Sequence, residues 1–321
     1  MLQFLRELRE FVAVGHRVVH GGNKYFDPLL INSHELDYLT QLCPLAPLHQ
    51  SHNLAAIKII KSHWPALTQV ACFDTAFHQT QSALAKIFAL PRELTREGIQ
   101  RYGFHGLSYE YIASVLPAHL GEKAKGRVIV AHLGNGASMC AMKELKSVDT
   151  TLGFTALDGL VMGTRCGRID PGVILYLQQE KGYTVEKILH LLYEESGLLG
   201  VSGLSSDMRE LLESNAPEAK EAVDLFCYRA AQEAASLAVS LGGLDALIFT
   251  AGIGENAPHI RKQICKHLAW LDLQIDESQN INNASIIHSH QSKVQISVIP
   301  TDEDAMIAKH TLKTVYPLFP L

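Results

Sequence analysis

Closely spaced cysteine pairs are absent from this sequence. Its 321 residues include six cysteines, and no two of them have the spacing of a CxxC motif. Zinc and redox sites space their cysteines closely, and disulfide scaffolds are shorter and richer in cysteine. We therefore predict six reduced thiols in a cytoplasmic protein.

Long apolar runs are missing too. No apolar run reaches the roughly 18 residues that a membrane-spanning helix needs. The opening residues MLQFLRELREF carry too many charges for the apolar core of a secretory signal. We expect a soluble protein with no membrane partner.

The sequence also has no excess of positively charged residues. Lys and Arg total 28 against 33 Asp and Glu, which gives a formal net charge of −5. Nucleic-acid backbones are bound by basic surfaces, so we expect no nucleic-acid partner. The hydrophobic share of 47% and the length instead indicate a globular protein of about two domains.

Strands and helices alternate along the chain, which predicts an α/β architecture. Apolar residues recur at three- and four-residue steps over 223–241, the pattern of a helix with one buried face. Buried strands are predicted at 11–19, 69–73, 127–131, 137–142 and 244–250, and further helices at 2–11 and 54–63.

Two glycine-rich segments follow predicted strands. Gly252-Ile253-Gly254, between a strand and a helix, would let a nucleotide approach the backbone closely. Asn135-Gly136 predicts a hairpin turn, since both residues tolerate positive φ, and the amides of this turn could hold an anion. A tight turn and an ordinary hairpin that bind no ligand would have the same sequence patterns. For each segment, a binding site and a purely structural turn therefore both stay open.

Two arginines have unusual sequence surroundings, one in an apolar stretch and one between glycines. Arg17 lies inside the apolar stretch 14–19, and Arg165 lies in GTRCG. A planar guanidinium suits a carboxylate or phosphoryl group, although a structural ion pair would also explain each arginine. His105, between aromatic residues and glycine, equally fits a buried structural histidine. The histidines form no HExxH-like motif, so we expect no histidine metal site.

Nine segments in one order resemble the acetate kinase family, a branch of the actin-like and sugar-kinase-like ATPase fold. The resemblance runs from about residue 14 to the end of the sequence. The segments are VGHRVVHGG (14–22), APLH (46–49), FDTAFH (73–78), RYGFHGLS (101–108), HLGNGAS (132–138), DGLVMGTRCGRIDPG (158–172), SSDMRE (205–210), FTAGIGENAP (249–258) and TDEDAMIA (301–308). The implied fold class is α/β, with duplicated RNase H-like domains of which the first is incomplete.

The resemblance implies reversible transfer of the ATP γ-phosphoryl group to a short-chain carboxylate. Acetate would be the main substrate, and the products would be acetyl phosphate and ADP. The cofactor would be Mg²⁺, with Mn²⁺ as an alternative. Such a transfer needs positioning and charge neutralisation more than covalent help. Ala156 stands where several family members carry proline. Because one methylene changes binding by only about 1–3 kcal/mol, acetate and propionate both stay open.

The resemblance also implies the site residues. Asp74, His105 and Arg165 would be catalytic, and Glu303 would bind the metal ion. A carboxylate substrate is already ionised, with a pKa of about 4, so we expect Asp74 to orient metal-bound water. The substrate would contact Arg17, Val19, Leu48 and Phe104. The nucleotide would contact His132, Leu133, Gly134, Asn135, Gly136, Asp207, Met208, Arg209, Gly252, Ile253, Gly254, Glu255 and Asn256.

The implied organisation has two domains. Residues 1–78 with 306–321 would form the N-terminal, substrate-side domain, and 79–305 the C-terminal domain for nucleotide binding and homodimerisation. Family members begin with a segment of the type N-x-G-S-S-S-x-K well ahead of VGHRVVHGG, where this sequence has about a dozen residues. Gln50-Ser51 also replaces the asparagine and proline usual there. The alternative is therefore an impaired family member that still binds nucleotide or serves as a non-enzymatic binding partner.

Overall fold

The computed structural model describes residues 11–46 and 49–318. The predicted helix at 2–11, except for its last residue, and the predicted substrate contact Leu48 lie outside these ranges. The chain divides into two compact units. Unit 1 consists of Met1–Gln79, Phe104–Tyr111 and Asp302–Leu321, and unit 2 of Thr80–Gly103 and Ile112–Thr301.

The described part of the chain contains eight strands and fourteen α-helices, together with four short 3-10 helices. The strands are β1 Ala13–Val18, β2 Leu29–Leu30, β3 Thr68–Phe73, β4 Val128–Leu133, β5 Ala137–Lys143, β6 Lys146–Thr150, β7 Ala246–Thr250 and β8 Gln295–Val298. The helices are α1 Ser33–Gln41, α2 Gln50–His63, α3 Ala83–Lys86, α4 Arg92–Arg96, α5 Gly106–Leu120, α6 Pro171–Gln179, α7 Val185–Glu194, α8 Gly197–Ser202, α9 Met208–Glu213, α10 Pro217–Leu241, α11 Ala251–Asn256, α12 Pro258–His267, α13 Glu277–Ile281 and α14 Glu303–Val315.

Unit 1 is built on a three-stranded sheet in the order β1–β3–β2. β1 runs parallel to β3, and β2 runs antiparallel to it. Successive side chains of a strand point to opposite faces, so β3 contributes to two apolar layers. Ala71 and Phe73 pack in a cluster with residues of α1 and α2, whereas Val70 and Cys72 pack against Leu107 of α5 and residues of α14.

Unit 2 is built on a five-stranded sheet in the order β6–β5–β4–β7–β8. β4, β7 and β8 are parallel, and β5 and β6 are antiparallel additions. The long helix α10 packs on β5, β4 and β6. Its predicted apolar face is confirmed, since the periodic residues are at most 7% exposed: Val223, Phe226, Ala230, Ala234, Leu237 and Leu241.

Two local predictions have different outcomes: the predicted hairpin between β4 and β5 is confirmed, and the predicted turn at Ala251–Asn256 is wrong. The hairpin between β4 and β5 has a three-residue connection, Gly134 to Gly136, and is closed by a Gly134 N–H to Gly136 carbonyl hydrogen bond of 3.2 Å. The segment Ala251–Asn256, which the sequence predicts as a turn before a helix, is itself helix α11. Among the described residues, no helix is both long and apolar enough to cross a membrane.

Candidate active site

Arg17 and Asp74 meet in unit 1 because β1 and β3 are parallel neighbours. Asp74 directly follows β3, and its N–H donates to the Val18 carbonyl at 3.1 Å. Arg17 then donates to Asp74 Oδ2 from Nε at 2.8 Å and from Nη2 at 2.6 Å. The Asp74 side chain is 1% exposed and that of Arg17 is 41% exposed. The neighbouring Asp74 charge raises the pKa of Arg17, so the guanidinium is always charged.

Glu303 completes a cluster of one guanidinium and two carboxylates. It opens helix α14, and its Oε2 lies 3.5 Å from Nη1 of Arg17. Burial raises the pKa of Glu303 above its ordinary value, the Asp74 charge acts in the same direction, and Arg17 opposes both. Because the carboxylates lie on different elements, only the folded sheet and helix bring them to one guanidinium.

One oxygen of this cluster has no protein partner. Asp74 Oδ1 is buried and accepts no hydrogen bond from the described residues, whereas Oδ2 takes both bonds of Arg17. Buried carboxylate oxygens are rarely left unsatisfied, because desolvation costs free energy. Carboxylate oxygens are also the ligands that magnesium prefers. Asp74 and Glu303 therefore fit a cation, although no described group of three or more His, Cys, Asp or Glu forms a ready-made metal site.

His105 and Phe104 lie at the start of α5, beside the backbone of Asp74. His105 has a φ of +57°, a conformation that non-glycine residues adopt mainly at special sites. The next residue, Gly106, donates its N–H to the Asp74 carbonyl at 2.9 Å. A Cβ at Gly106 would collide with that carbonyl, so glycine is required for this close approach. His105 is 9% exposed and Phe104 is 1% exposed.

Val19, the other described residue of the predicted apolar pocket, is 5% exposed. Its N–H donates to Asn53 Oδ1 at 3.1 Å, which ties the end of β1 to helix α2. The next residue, His20, is fully buried and contacts the ring of Phe104 edge-on, with centroids 5.9 Å apart. Unit 1 thus brings together Arg17, Asp74, His105 and Glu303, with Val19 and Phe104 buried nearby in the same unit.

In unit 2 the two glycine-rich segments lie at the same edge of the sheet. β4 and β7 are parallel neighbours with His132 opposite Thr250, so the hairpin tip and helix α11 both follow carboxyl ends of strands. Ligands of open α/β sheets collect at this edge. A Cβ at Gly134 would lie 3.8 Å from the Cβ of Ala251, which shows how closely the two segments approach.

A cavity of about 740 Å³ opens beside these segments. Binding sites for drug-sized ligands are typically about 300–1,000 Å³, so the cavity has the size of a small-molecule site. Eight predicted nucleotide contacts line it: Gly134, Asn135, Asp207, Met208, Arg209, Gly252, Ile253 and Asn256. Five others do not: His132, Leu133, Gly136, Gly254 and Glu255. Five lining residues lie outside the prediction: Ser206, Leu212, Ala257, Pro258 and His259.

Sequence signals exist for three of these five additional residues. Ser206 belongs to SSDMRE, and Ala257 and Pro258 belong to FTAGIGENAP, so the motifs contain them without marking them as contacts. Leu212 and His259 lie beyond both motifs. Only the fold places these two side chains at the cavity.

Asp207 and Arg209 form a small charged unit at the cavity wall. Asp207 caps helix α9, since its Oδ1 accepts the backbone N–H of Arg209 at 2.8 Å. Arg209 Nη2 also donates to Asp207 Oδ2 at 2.6 Å. Hydrogen bonds from the Arg209 side chain and backbone lower the pKa of Asp207 to about 2. Asp207 is therefore an anion at any physiological pH.

Arg165 belongs to unit 2 and is fixed near the hairpin tip. Gly163 donates its N–H to the Asn135 carbonyl at 3.0 Å, which ties the GTRCG segment to the turn between β4 and β5. Nη1 of Arg165 donates to the Ala156 carbonyl at 2.6 Å. A Cβ at Gly163 would collide with the Asn135 side chain, so glycine allows this contact.

Comparisons with known proteins show the family to which the chain is similar. The profile of the Acetokinase family matches residues 2–309. The acetate kinase of Rhodopseudomonas palustris (strain TIE-1) is 57% identical over 301 residues, which cover 93% of this chain and 76% of that protein. The acetate kinase of Rickettsia felis is 45% identical over 308 residues, which cover 96% of this chain and 80% of that protein.

Two solved structures are similar throughout. A propionate kinase from Francisella tularensis superposes with a TM-score of 0.92 at 43% identity, covering 97% of this chain and 82% of that one. The Porphyromonas gingivalis acetate kinase superposes with a TM-score of 0.88 at 38% identity, covering 97% and 80%. The predicted fold class is confirmed by these neighbours.

The two sheets with their flanking helices and the sites built on them define an α/β kinase, a phosphotransferase whose acceptor is a carboxyl group. The chain belongs to the acetokinase family, as its match to the family profile and to these relatives shows.

Proposed function

We propose that this chain transfers the γ-phosphoryl group of ATP reversibly to acetate, giving acetyl phosphate and ADP. The observation that carries the proposal is the Arg17–Asp74–Glu303 cluster, in which one guanidinium contacts two carboxylates and Asp74 Oδ1 is buried without a partner in the described part of the chain. Such an atom is expected where a ligand supplies the missing contact. The names of the relatives, acetate kinase and propionate kinase, support the same reaction.

The residues of unit 1 would bind the carboxylate and stabilise its transfer. Arg17 offers a charged fork that suits a carboxylate or a phosphoryl oxygen. His105 would add a further donor as charge develops on the transferring group. Val19 and Phe104, with Leu48, would surround the alkyl end of the substrate. Because the apolar contacts distinguish acetate from propionate by only about 1–3 kcal/mol, we expect turnover with both.

Asp74 and Glu303 would hold the divalent cation, Mg²⁺ or Mn²⁺. The cation would supply neutralisation of the nucleotide's phosphate charge when it is bound. Asp74 itself is not required as a proton acceptor, since a carboxylate substrate is ionised at neutral pH. We assign Asp74 the orientation of the reacting groups, through its unpartnered Oδ1 and its fixed Oδ2.

Unit 2 would bind ATP, with the substrate side in unit 1. The hairpin tip at Gly134 and Asn135 offers backbone amides to phosphates. The cavity wall formed by α9 and α11 would hold the adenosine. Arg165, tied to the hairpin tip through Gly163, would bind the phosphoryl group. The mostly apolar lining suits a base and a ribose better than a second polyphosphate.

The alternative of a non-enzymatic nucleotide-binding partner is not favoured. The chain keeps arginine, aspartate, histidine and glutamate at every described position to which we assign catalysis or metal binding. The acetate kinases compared above are also 45–57% identical over nearly all of this chain.

We also propose a homodimer formed through unit 2. None of the residues of α6 is buried, and Val173, Leu175 and Tyr176 are 40–55% exposed. An exposed apolar helix of this kind indicates a protein–protein contact. Light scattering should give twice the mass of one chain, and Tyr176→Glu should give one chain mass. Tyr316→Glu, an equally polar change in unit 1, should leave the dimer intact. A monomeric unaltered chain would refute the dimer.

We place the protein in the cytoplasm, because all six cysteines are free thiols and four of them are buried. Cytoplasmic thiols stay reduced, whereas secreted proteins oxidise theirs. Fractionation of cells expressing a tagged chain should recover it with cytoplasmic markers, and recovery with periplasmic or membrane markers would contradict the assignment.

The test of the reaction is formation of acetyl phosphate, trapped as its hydroxamate, from ATP, MgCl₂ and acetate with the purified chain. Arg165→Ala should abolish the product, which excludes a contaminating host kinase. Parallel assays with propionate and with MnCl₂ would rank substrates and cations. No product above the level of the Arg165→Ala variant, from a folded chain, would refute the proposed reaction.

A further inference from the structure

Arg261 is a fully buried cation on helix α12, immediately after the cavity wall. It is 0% exposed, and it belongs to none of the motifs that point to the site. Arginine is almost never fully buried unless a carboxylate pairs with it. Here every described hydrogen-bond acceptor of the Arg261 side chain is an uncharged oxygen. This costly arrangement calls for an explanation.

One edge of the guanidinium binds the last turn of α11. Nη1 donates to the carbonyls of Gly254 and Glu255, each at 2.9 Å. The final carbonyls of a helix have no partner within the helix, and a cation there also complements the helix dipole. α11 has only six residues, too few to be stable without such external contacts.

The other edge of the guanidinium is anchored outside α11. Nε donates to Asn280 Oδ1 at 2.8 Å, and Nη2 donates to the Asn280 carbonyl at 2.7 Å and to Asn283 Oδ1 at 2.6 Å. Asn280 in turn donates to the Pro258 carbonyl at 2.9 Å. Arg261 therefore connects α11 to α13 through a rigid, planar group.

The opposite end of α11 is held as well. Ala251 has a φ of +63°, a strained conformation for alanine. Glu255 Oε1 accepts the Ala251 N–H at 2.8 Å and the Thr301 N–H at 3.2 Å, which secures that conformation. Gly252, Ile253 and Asn256, which line the cavity, are thus on a helix fixed at both ends.

We propose that Arg261 is a positioning residue for the nucleotide: it fixes helix α11 so that Gly252, Ile253 and Asn256 stand at the distance that adenosine requires. The inference rests on the proposed function, because it takes the cavity of unit 2 as the nucleotide site. It adds a residue that touches neither nucleotide nor substrate and acts through backbone carbonyls. A misplacement of about 1 Å, caused by a change far from the reacting atoms, can lower the reaction rate about 100-fold.

The experiment measures ADP binding by titration calorimetry, together with KM for ATP and for acetate. We expect Arg261→Gln to weaken ADP binding and raise KM for ATP about tenfold, while KM for acetate stays within about twofold. Arg261→Lys should not rescue binding, because a point charge cannot replace the planar fork. Lys262→Gln removes an exposed neighbouring cation paired with Glu277 and should leave ADP binding unchanged.

A milder variant covers the case in which Arg261→Gln does not fold. Asn283→Gly removes one acceptor of Nη2 and keeps a residue that tolerates the φ of +50° at this position. We expect ADP binding to weaken about threefold, in line with the loss of one hydrogen bond.

The outcomes separate this proposal from the function on which it rests. If the unaltered chain binds no ADP, the assignment of the cavity fails and the role of Arg261 with it. If that chain binds ADP and the folded Arg261→Gln or Asn283→Gly variant binds it equally well, only the positioning role is overturned. A parallel rise of KM for ATP and for acetate would also overturn it, since a general loss of structure would then explain the effect.

Discussion

Gly252 and Gly254 stand two residues apart in helix α11 and face different surroundings. Gly252 lines the cavity, and a Cβ there would meet nothing within 4 Å, whereas one at Gly254 would lie 3.4 Å from the backbone of Phe249 and 3.5 Å from the Ala131 carbonyl. The two glycines of one motif therefore serve different purposes. The first borders open space at the cavity, and the second allows the helix to pack on the sheet.

This difference predicts that Gly252→Ala makes the protein more stable and a poorer nucleotide binder. Alanine stabilises a helix by up to about 1 kcal/mol relative to glycine. The added methyl group should lower ADP affinity about tenfold, because it overfills the binding space. Thermal unfolding and calorimetry measure both effects. Gly254→Ala is the matched control and should leave ADP affinity unchanged. Equal losses of affinity in the two variants would contradict the assignment of the cavity.

Asp74→Asn should stop phosphoryl transfer and leave nucleotide binding intact. The amide keeps the size of the side chain but gives up the charge that faces Arg17, so we expect turnover to fall at least about 100-fold. Stability should fall by about 1–3 kcal/mol, as for loss of a hydrogen bond to a charged group. A coupled enzyme assay measures turnover, urea unfolding measures stability, and calorimetry measures ADP binding. The exposed Asp37→Asn in the same unit is the control, and turnover retained in Asp74→Asn would refute the role of this carboxylate.

His20 should make the protein acid-sensitive. Burial lowers the pKa of His20 to about 4 from 6.5, and its Nδ1 accepts the Gly22 N–H at 2.8 Å. Between these two pH values the unfolded state binds a proton at His20 and the folded state does not. The contribution of neutral His20 to the free energy of unfolding is therefore fully present above pH 6.5 and is lost as the pH falls toward 4. His20→Asn keeps an acceptor for Gly22 and removes the titration.

The measurement for His20 is urea unfolding at pH 7.5 and pH 4.5. The unaltered chain should lose about 2 kcal/mol more than His20→Asn between these pH values. The exposed His34→Asn should lose as much as the unaltered chain. If the free energy of unfolding falls by the same amount in all three proteins between the two pH values, His20 does not titrate as its burial requires.

The cysteines should be slow to react in the native state. Burial raises the pKa of Cys166 to about 11 and those of Cys72, Cys140 and Cys227 to about 12. A thiol of pKa 11 is only ~0.03% ionised at pH 7.5, and the thiolate is the reactive form. Labelling with Ellman's reagent should show at most one fast thiol, which Cys43→Ser removes. Several fast thiols in the folded protein would contradict the observed burial.

Strong periodic patterns made the longest helix and five of the eight described strands predictable. The apolar steps at 223–241 identified α10, although the helix starts six residues earlier, at Pro217, where proline suits the first helical turn. The runs at 69–73 and 137–142 identified β3 and β5 to within one residue. The strands β2 and β8, of two and four residues, were beyond reach, because a short strand is defined by its neighbours.

The motifs contain most of the residues of the candidate site, but long-range hydrogen bonds determine how those residues are arranged. Glycines disfavour helix, so the sequence around Gly252 predicts a turn; the hydrogen bonds of Glu255 and Arg261 override that propensity. For the same reason Glu255 faces backbone amides and not the cavity. Arg261 resembles any exposed arginine of an amphipathic helix. Its burial depends on Asn280 and Asn283, about 20 residues away, which no local pattern reveals.

Unit 1 takes its parts from both sides of unit 2 in the sequence, and this has a consequence for synthesis on the ribosome. Arg17 and Asp74 emerge early, but Glu303 and helix α14, which packs on β1 and β3, emerge after the whole of Ile112–Thr301. Unit 2 can therefore complete its sheet while unit 1 still lacks one helix. Throughout that interval the apolar face of β3 that α14 covers, including Cys72, stays open to chaperones and to other nascent chains.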